Sequence, residues 1–361
     1  MRVITVFGTR PEMIKMWSTL KKLDESPAFD HIMVHTGQNF TPELKNFFFE
    51  DLKLRVPDVQ LNISTSSFAN EVSDVLIESE KLFKKFKPDA LLILGDTYSG
   101  LSVLSAANQN IKIFHMEAGL RAWDKRMPEQ RNRILIDHIS DILLPFNNYH
   151  RENLLREGIH PSKIIVSGNP TFEVMNFFKK QINKSRILNK LNITKKKYFL
   201  ITLHRSENVD NISNFNDIIE SLNKLSIHFK DYKFIFPMHP RTQSKNINLF
   251  NRRIKIINPL GFYDFNYLLK NSACIISDSG TAAEEGLFYK VPNITFRDST
   301  ERFETIESGG TIISGINNNN LIECVNLALG NNFFINYDFA DSFEPSNVVV
   351  NSLMSKITNY F

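Results

Sequence analysis

Two kinds of hydrophobic pattern alternate along this chain. Short, nearly continuous apolar runs occur at residues 3–7, 31–35, 90–94, 112–115, 142–144 and 163–166, and a second series at 199–203, 233–237, 254–257, 273–277 and 293–296. Between them lie longer stretches, at 12–23, 68–86, 102–108, 129–140, 212–229 and 263–270, that read as helices. Strand–helix alternation at this interval predicts a parallel sheet with helices on both faces. The series runs twice, so the fold class expected is α/β, with two Rossmann-like, doubly wound domains facing a cleft. A break at Gly168-Asn169-Pro170, before a Lys-rich helical stretch at 172–197, puts the boundary near residue 170. The expected division is a first domain over 1–169, a second over 170–345 and a terminal helix over 346–361. Asn317-Asn318-Asn319-Asn320 reads as a loop. Polar residues at the carboxyl ends of the strands would line the cleft and are the ones to examine.

Composition narrows the classes without naming one. With 361 residues, 42% hydrophobic and 23% charged, the chain can bury two ordinary cores. A net charge of +4 is mild for this length. It does not call for nucleic acid, and a basic cleft for an anionic small molecule accounts for it as well. The two cysteines, Cys274 and Cys324, lack the spacing of a disulfide framework or a zinc site, which favours a reducing cytoplasm. Residues 1–7 are too short for a signal segment and read as the first strand, and no apolar run approaches a membrane span.

The chemistry sits in the turns after the strands. Ser277-Asp278-Ser279-Gly280-Thr281-Ala282-Ala283-Glu284-Glu285 follows the apolar run 273–276 and opens a helix. Thr281 and Glu284 have capping-box spacing, which makes Thr281 the expected N-cap. Gly280 lets a ligand come close to the backbone. A strand, a small-residue turn and a helix N-terminus make an anion site, since free N–H groups and the macrodipole point the same way. A second polar turn, Arg297-Asp298-Ser299-Thr300-Glu301-Arg302, follows soon after. The two together suggest a diphosphate and its sugar at the ends of parallel strands.

Other turns repeat the theme. Gly8-Thr9-Arg10-Pro11-Glu12 follows the first strand, again with capping-box spacing. Arg10 and Lys15 stand near a helix start that disfavours cations, which makes sense with an anion nearby; the plain alternative is a solvated turn with a capped helix. Asp96, in Gly95-Asp96-Thr97, is either a catalytic acid or the cap of the next helix. Glu117, in His115-Met116-Glu117-Ala118-Gly119-Leu120-Arg121, and Glu129, after Pro128, could converge with Asp96 and shift one another's protonation. Glu129 could equally pair with Arg131 and Arg133 in solvent. His204 and His239 each follow a strand in the second half, although a lone histidine is more often structural. The joint placement of these turns is the argument. No metal-binding spacing, Walker A loop, G-x-S-x-G elbow or G-x-G-x-x-G fingerprint is present.

In this order the motifs resemble the non-hydrolysing UDP-N-acetylglucosamine 2-epimerase family over roughly residues 2–315. Six segments carry the likeness: Gly8–Glu12, Gly95–Thr97, His115–Arg121, Pro128-Glu129, His204-Arg205, and Ser277–Glu285 with Thr300-Glu301-Arg302; Lys15 also fits. The resemblance implies the GT-B fold, a UDP-sugar in the cleft, the terminal helix crossing back to the first domain, and a homodimer. It implies no metal and no redox cofactor. C2 of a UDP-2-acetamido sugar would be inverted by eliminating UDP across C1–C2 and adding it back with the proton on the other face. Carried over residue by residue, Asp96, Glu117 and Glu129 become acid/base candidates and His204 the active-site histidine. Arg10, Lys15, Ser279, Gly280 and Thr281 would contact the diphosphate, with Arg302 adding charge near it. Glu285 would hold the ribose hydroxyls and Phe265 would lie near the uracil.

Three departures from the family pattern stand out. The familiar Pro-Glu-Glu is Pro128-Glu129-Gln130, and the common Thr-Glu-Arg-Pro-Glu has Phe303 in place of proline. Gln38-Asn39-Phe40 and Thr65-Ser66-Ser67 replace the polar runs that bacterial relatives use to bind a second UDP-sugar as activator. The substrate expected first is UDP-GlcNAc, giving UDP-ManNAc for surface polysaccharide. His35–Gln38, Arg126–Glu129, His239–Thr242 and Pro259–Phe262 look closer to relatives acting on UDP-2,3-diacetamido-glucuronate or forming UDP-N-acetyl-L-fucosamine. Rival readings are a GT-B glycosyltransferase, a hydrolysing epimerase, whose first turn typically reads Gly-Thr-Arg-Ala-Asp, and a non-enzymatic UDP-sugar sensor. A sensor would not need Asp96, Glu117 and Glu129 together.

Overall fold

A computed structural model describes residues 1–37, 51–64, 66–124, 127–238, 242, 249–316, 320–330, 335 and 344–355, the side chains of 206 and 207 excepted. Of the segments singled out above, Gln38-Asn39-Phe40, Thr65, Arg126, His239-Pro240-Arg241 and Asn317-Asn318-Asn319 lie outside the described residues. The chain forms two compact units: Met1–Asn176 with Asp341–Phe361, and Phe177–Ala340.

The first unit holds strands β1 (Arg2–Phe7), β2 (Asp30–His35), β3 (Val59–Gln60), β4 (Ala90–Leu94), β5 (Lys112–Met116) and β6 (Ile142–Leu144). They pair in the order β3-β2-β1-β4-β5-β6, every pair parallel. β4 is buried along its whole length, as expected for a strand covered on both faces. One face carries Ile4, Val6, Leu91, Ile93 and Ile113 against Leu82 and Phe83 of helix Phe68–Phe86, whose N-cap Ser67 accepts from the Asn70 N–H at 3.2 Å. The terminal helix Pro345–Met354 packs against helix Arg10–Glu25, where Lys22 donates to Glu344 and to Asn347.

The second unit repeats the plan with β7 (Tyr198–Thr202), β8 (Lys233–Pro237), β9 (Ile254–Ile257), β10 (Cys274–Ser277), β11 (Asn293–Thr295) and β12 (Thr311–Ile313). The order is β12-β11-β10-β7-β8-β9, again all parallel. The two-residue period of β7 splits its side chains between two cores. Phe199 and Ile201 meet Phe215, Ile218 and Leu222 of helix Ile212–His228, while Tyr198 and Leu200 meet Leu268 and Leu269 of helix Phe262–Asn271.

Three expectations need correction. Residues 163–166 form no strand: Ile164 alone bridges to Leu143, just after the short turn Pro161–Lys163. β3 and β12 are additional to the strands expected, since two or three residues offer too little alternation to mark a strand. The stretch 172–197 is broken into three short helices, Pro170–Phe177, Lys179–Asn183 and Ile187–Leu191.

Candidate functional site

Each sheet has the strand order 3-2-1-4-5-6, counted within its own unit. In such sheets the direction of winding reverses beside the first strand, and ligands bind outside the carboxyl ends of the two strands that flank the reversal. These are β1 and β4 in the first unit and β7 and β10 in the second. Most of the residues expected to carry chemistry lie in or next to the turns that follow these four strands.

In the first unit, Thr9 is the N-cap of helix Arg10–Glu25, and Glu12 reaches back to it. One Glu12 oxygen accepts from the Gly8 and Thr9 N–H groups at 3.0 and 2.7 Å, and the other from the hydroxyls of Thr97 and Ser99, both at 2.7 Å. The buried carboxylate thereby ties the turn after β1 to the turn after β4. Burial pushes its pKa up and outweighs the hydrogen bonds that pull it down.

Asp96 and Glu117 converge on a single guanidinium. Arg133 Nη2 contacts Asp96 Oδ2 and lies 3.1 Å from Glu117 Oε1, while its Nη1 donates to the Glu117 carbonyl at 2.6 Å. The second Glu117 oxygen pairs with Lys15 Nζ at 2.6 Å, both side chains being almost fully buried. The charge of Lys15 is thus matched inside the protein. Glu117 also has φ of +65°, in the left-handed region that side chains rarely occupy. Such strain is held only where the surroundings fix it, and it concentrates at working sites. Two carboxylates thus share one guanidinium, and a second cation sits on Glu117, which sets two candidate acid/base groups side by side. Arg10 and Glu129 are half-buried near the starts of their helices. The unfamiliar Gln130 accepts from the Ala122 and Trp123 N–H groups at 2.7 and 3.2 Å, a task an amide oxygen performs as well as a carboxylate.

In the second unit the turn after β7 is held by Asp278, at the end of β10. Its fully buried carboxylate accepts from the His204 and Arg205 N–H groups at 3.1 and 3.0 Å and from Asn208 Nδ2 at 3.1 Å. Its Oδ1 lies 3.6 Å from His204 Nδ1, and the His204 side chain remains 39% exposed. Helix Gly280–Phe288 starts earlier than the capping-box spacing suggested. Ser279, not Thr281, is its N-cap and accepts from the Ala282 N–H at 3.4 Å. Glu284 does not reach back to cap; it lies 2.9 Å from Arg302 Nη1, so the ion pair wins over the box. A Cβ on Gly280 would lie 2.9 Å from Glu301 Oε1 and 3.2 Å from Arg302 Nε, so the glycine admits these side chains to the helix N-terminus. Glu301 sits 3.1 Å from both Arg205 and Arg297. Burial would raise its pKa, but Arg297, Arg205 and Arg302 outweigh it and hold the carboxyl well below the usual range. Three guanidiniums, paired with Glu301 and Glu284, thus gather near a helix N-terminus, the kind of groups that anion sites use. Glu285 is buried, whereas Thr281 and Phe265 are partly exposed.

Two residues with evident roles, Arg133 and Asp278, carry no local signal of them in the sequence. Arg133 is one of several arginines after Glu129, and Asp278 is one letter in a small-residue turn. Both act across strands, so only the sheet order brings them to their partners.

The model of the family described as UDP-N-acetylglucosamine 2-epimerase matches residues 21–339. A UDP-N-acetylglucosamine 2-epimerase of Methanococcus maripaludis is 39% identical over 96% of both chains. A UDP-2,3-diacetamido-2,3-dideoxy-D-glucuronate 2-epimerase of Pseudomonas aeruginosa is 33% identical over 91% of this chain and 93% of its own. The crystal structure of Methanocaldococcus jannaschii UDP-GlcNAc 2-epimerase in complex with UDP-GlcNAc and UDP superposes with a TM-score of 0.91 at 38% identity, covering 98% of this chain and 99% of that one. The two parallel sheets, the turns that follow their central strands and these likenesses along almost the whole length agree: the chain belongs to the UDP-N-acetylglucosamine 2-epimerase family, isomerases of the GT-B fold.

Proposed function

We propose that this protein inverts C2 of a UDP-2-acetamido sugar, converting UDP-GlcNAc to UDP-ManNAc. The observation that carries the reading is the convergence of Asp96 and Glu117 on Arg133, with Lys15 on the other side of Glu117. A carboxylate takes the C2 proton as the C1–O bond breaks and UDP leaves with the bonding pair. The resulting 2-acetamidoglycal then takes UDP back at C1 and a proton at the opposite face of C2. Because the C2 proton is only weakly acidic, removal and departure must be assisted together. Asp96, Glu117 and Glu129 are the proposed acid/base groups, with His204 beside them in function. The diphosphate is assigned to Arg10, Ser279, Gly280 and Thr281 with Arg302; Lys15, expected among these contacts, is instead paired with Glu117 and almost fully buried. Glu285 is assigned to the ribose and Phe265 to the uracil. The proposed setting is a cytoplasmic homodimer supplying precursors for surface polysaccharide. Among the described residues no helix is long and apolar enough to cross a membrane.

The second reading, UDP-2,3-diacetamido-glucuronate as substrate, is favoured by the Pseudomonas aeruginosa relative. Proton NMR in heavy water separates the two. Deuterium entering at C2 of UDP-GlcNAc, with UDP-ManNAc formed, supports the first. A silent UDP-GlcNAc spectrum with exchange on the diacetamido sugar moves the assignment to the second. Variants Asp96→Asn, Glu117→Gln and Glu129→Gln that still bind UDP and retain full exchange would refute the epimerase mechanism.

A further inference from the structure

We propose that His115 and Asp137 are a positioning pair that sets the direction of the Asp96 carboxylate through the Gly95 carbonyl. The proposal rests on the reading above and deepens it. His115 lies in β5 and Asp137 in helix Pro128–Ile139, and both are fully buried. Neither was given a role in the reaction.

The geometry is a chain of polar contacts ending at the turn after β4. His115 Nε2 lies 2.8 Å from the Gly95 carbonyl oxygen, and Nδ1 lies 2.8 Å from Asp137 Oδ1. Both ring nitrogens are therefore engaged, one by a backbone carbonyl and one by a carboxylate. Asp137 Oδ2 accepts from the Gly119 N–H at 3.1 Å and meets Arg121 Nη2 at 2.8 Å. Arg121 in turn grips Glu157 with two bonds, at 2.7 and 2.6 Å. Burial acts to raise the Asp137 carboxyl, but His115 and Arg121 outweigh it and keep the carboxyl below its ordinary value.

Position gives this chain its function. Gly95 has φ of +79° and no side chain, so its peptide plane would be free to turn. That plane holds both the Gly95 oxygen and the Asp96 nitrogen, so rotating it re-aims Asp96. The Gly95 N–H donates to Met116 O at 3.0 Å, and the imidazole pins the carbonyl. Asp137 pins Gly119, two residues beyond the strained Glu117, by the same device. Two glycine turns carrying two reacting carboxylates are thus locked to one imidazole–carboxylate pair. A buried charge network is often no more stable than an apolar core of the same volume. Its presence here is explained by what it holds.

The test exploits the two ring nitrogens. In H115Q the amide reaches the Nε2 position and can donate to the Gly95 oxygen. In H115N the amide stops at the Nδ1 position and can donate only towards Asp137. C2 deuterium exchange and epimerisation are measured per UDP-binding molecule, so unfolded protein does not count. H115N should lower kcat ~30-fold or more with KM within about threefold, since sub-ångström misplacement of a reacting group costs on this scale. H115Q should stay within about fivefold of wild type. E157Q, at the far end of the network, keeps the Gly95 bond and should lower stability while leaving kcat within about twofold. Equal kcat losses in H115N and H115Q, wild-type kcat in H115N, or a loss in E157Q as large as in H115N would each overturn the proposal. Wild-type protein runs alongside. If it exchanges none of the candidate UDP-sugars, the functional reading itself falls; if it exchanges one and H115N matches it, only the positioning role falls.

Discussion

Replacing Lys15 with methionine isolates its contact with Glu117. The Lys15–Glu117 pair is separated by 2.6 Å, with side-chain exposures of 3% and 6%. At an effective dielectric near 20 the attraction is ~6 kcal/mol, much of it offset by the cost of taking both charges out of water. Breaking a buried pair from one side costs about 3–5 kcal/mol, because the remaining charge is stranded. Glu117 keeps Arg133 at 3.1 Å, which places the loss near the lower end. Methionine keeps most of the apolar stem but loses the cation over the Phe146 ring, 5.6 Å away and worth about 1 kcal/mol. The expected loss is ~3–4 kcal/mol. For a unit of roughly 200 residues this lowers Tm by about 6–16 °C. Calorimetry is the assay, since two units can melt in separate transitions and the change belongs to the first. Adding Glu117→Gln to K15M removes the stranded charge and should restore ~2 kcal/mol relative to K15M; the double-mutant cycle reads the coupling as that recovery plus the cost of Glu117→Gln alone. A K15M melt within about 2 °C of wild type, or purely additive losses in the double variant, would refute this account of the pair.

Three further outcomes follow from the structure. The depressed Glu301 carboxyl contributes stability that is present above its unfolded value of about 4.5 and is lost as pH falls further below it. The second unit should therefore weaken from about pH 5 downward, and Glu301→Gln should flatten that limb in urea titrations while costing ~3 kcal/mol at pH 7; an unchanged acid limb would count against it. Gly280→Ala, whose new Cβ would press on Glu301 at 2.9 Å, should destabilise by ~1–2 kcal/mol and weaken UDP binding about tenfold by calorimetric titration. Gly119→Ala puts a Cβ 2.3 Å from the His150 carbonyl at φ of +78°, where no rotamer change relieves the clash. A loss of ~3 kcal/mol or more in urea midpoint is expected, and wild-type stability would mean the turn is placed wrongly.

How much of this was legible depends on whether a feature is local or crosses strands. The runs at 90–94 and 142–144 match their strands residue for residue, because strands buried along their whole length leave unbroken apolar letters; those at 233–237 and 254–257 match as well, although Lys233 and Lys255 are exposed. The run 163–166 is equally apolar but has only Leu143 to bridge to, through Ile164. Pairing is a property of the neighbour and is not written in the segment. The cap at Ser279 shows the same limit from another side. Thr281–Glu284 and Thr9–Glu12 have identical spacing, yet only Glu12 turns back, because Glu284 meets Arg302, eighteen residues away. Capping-box letters state an option that a distant cation can overrule.

The polar residues of helix Pro128–Ile139 tie the first unit's turns together. Its buried residues are Gln130, Arg133, Ile136 and Asp137, at intervals of three, three and one. That is helical phase, so the stripe turned towards the protein is mostly polar. A polar residue on the buried stripe costs free energy unless it is satisfied, so each one implies a partner. The partners follow in order along the helix. Gln130 holds the Ala122 and Trp123 N–H groups, Arg133 joins Asp96 to Glu117, and Asp137 joins His115 to Gly119. Read as a solvated ion-pair face, Glu129-Gln130-Arg131-Asn132-Arg133 has no bearing on the reaction. Phased from Pro128 as the first helical residue, it separates Arg133 from Arg131: Arg133 falls with Gln130 and Asp137, and Arg131 falls on the exposed side. Phase thus puts the two arginines on different faces, while which face turns inward, and the task of holding two carboxylates together, come from the sheet that delivers the turns after β4 and β5 to Arg133.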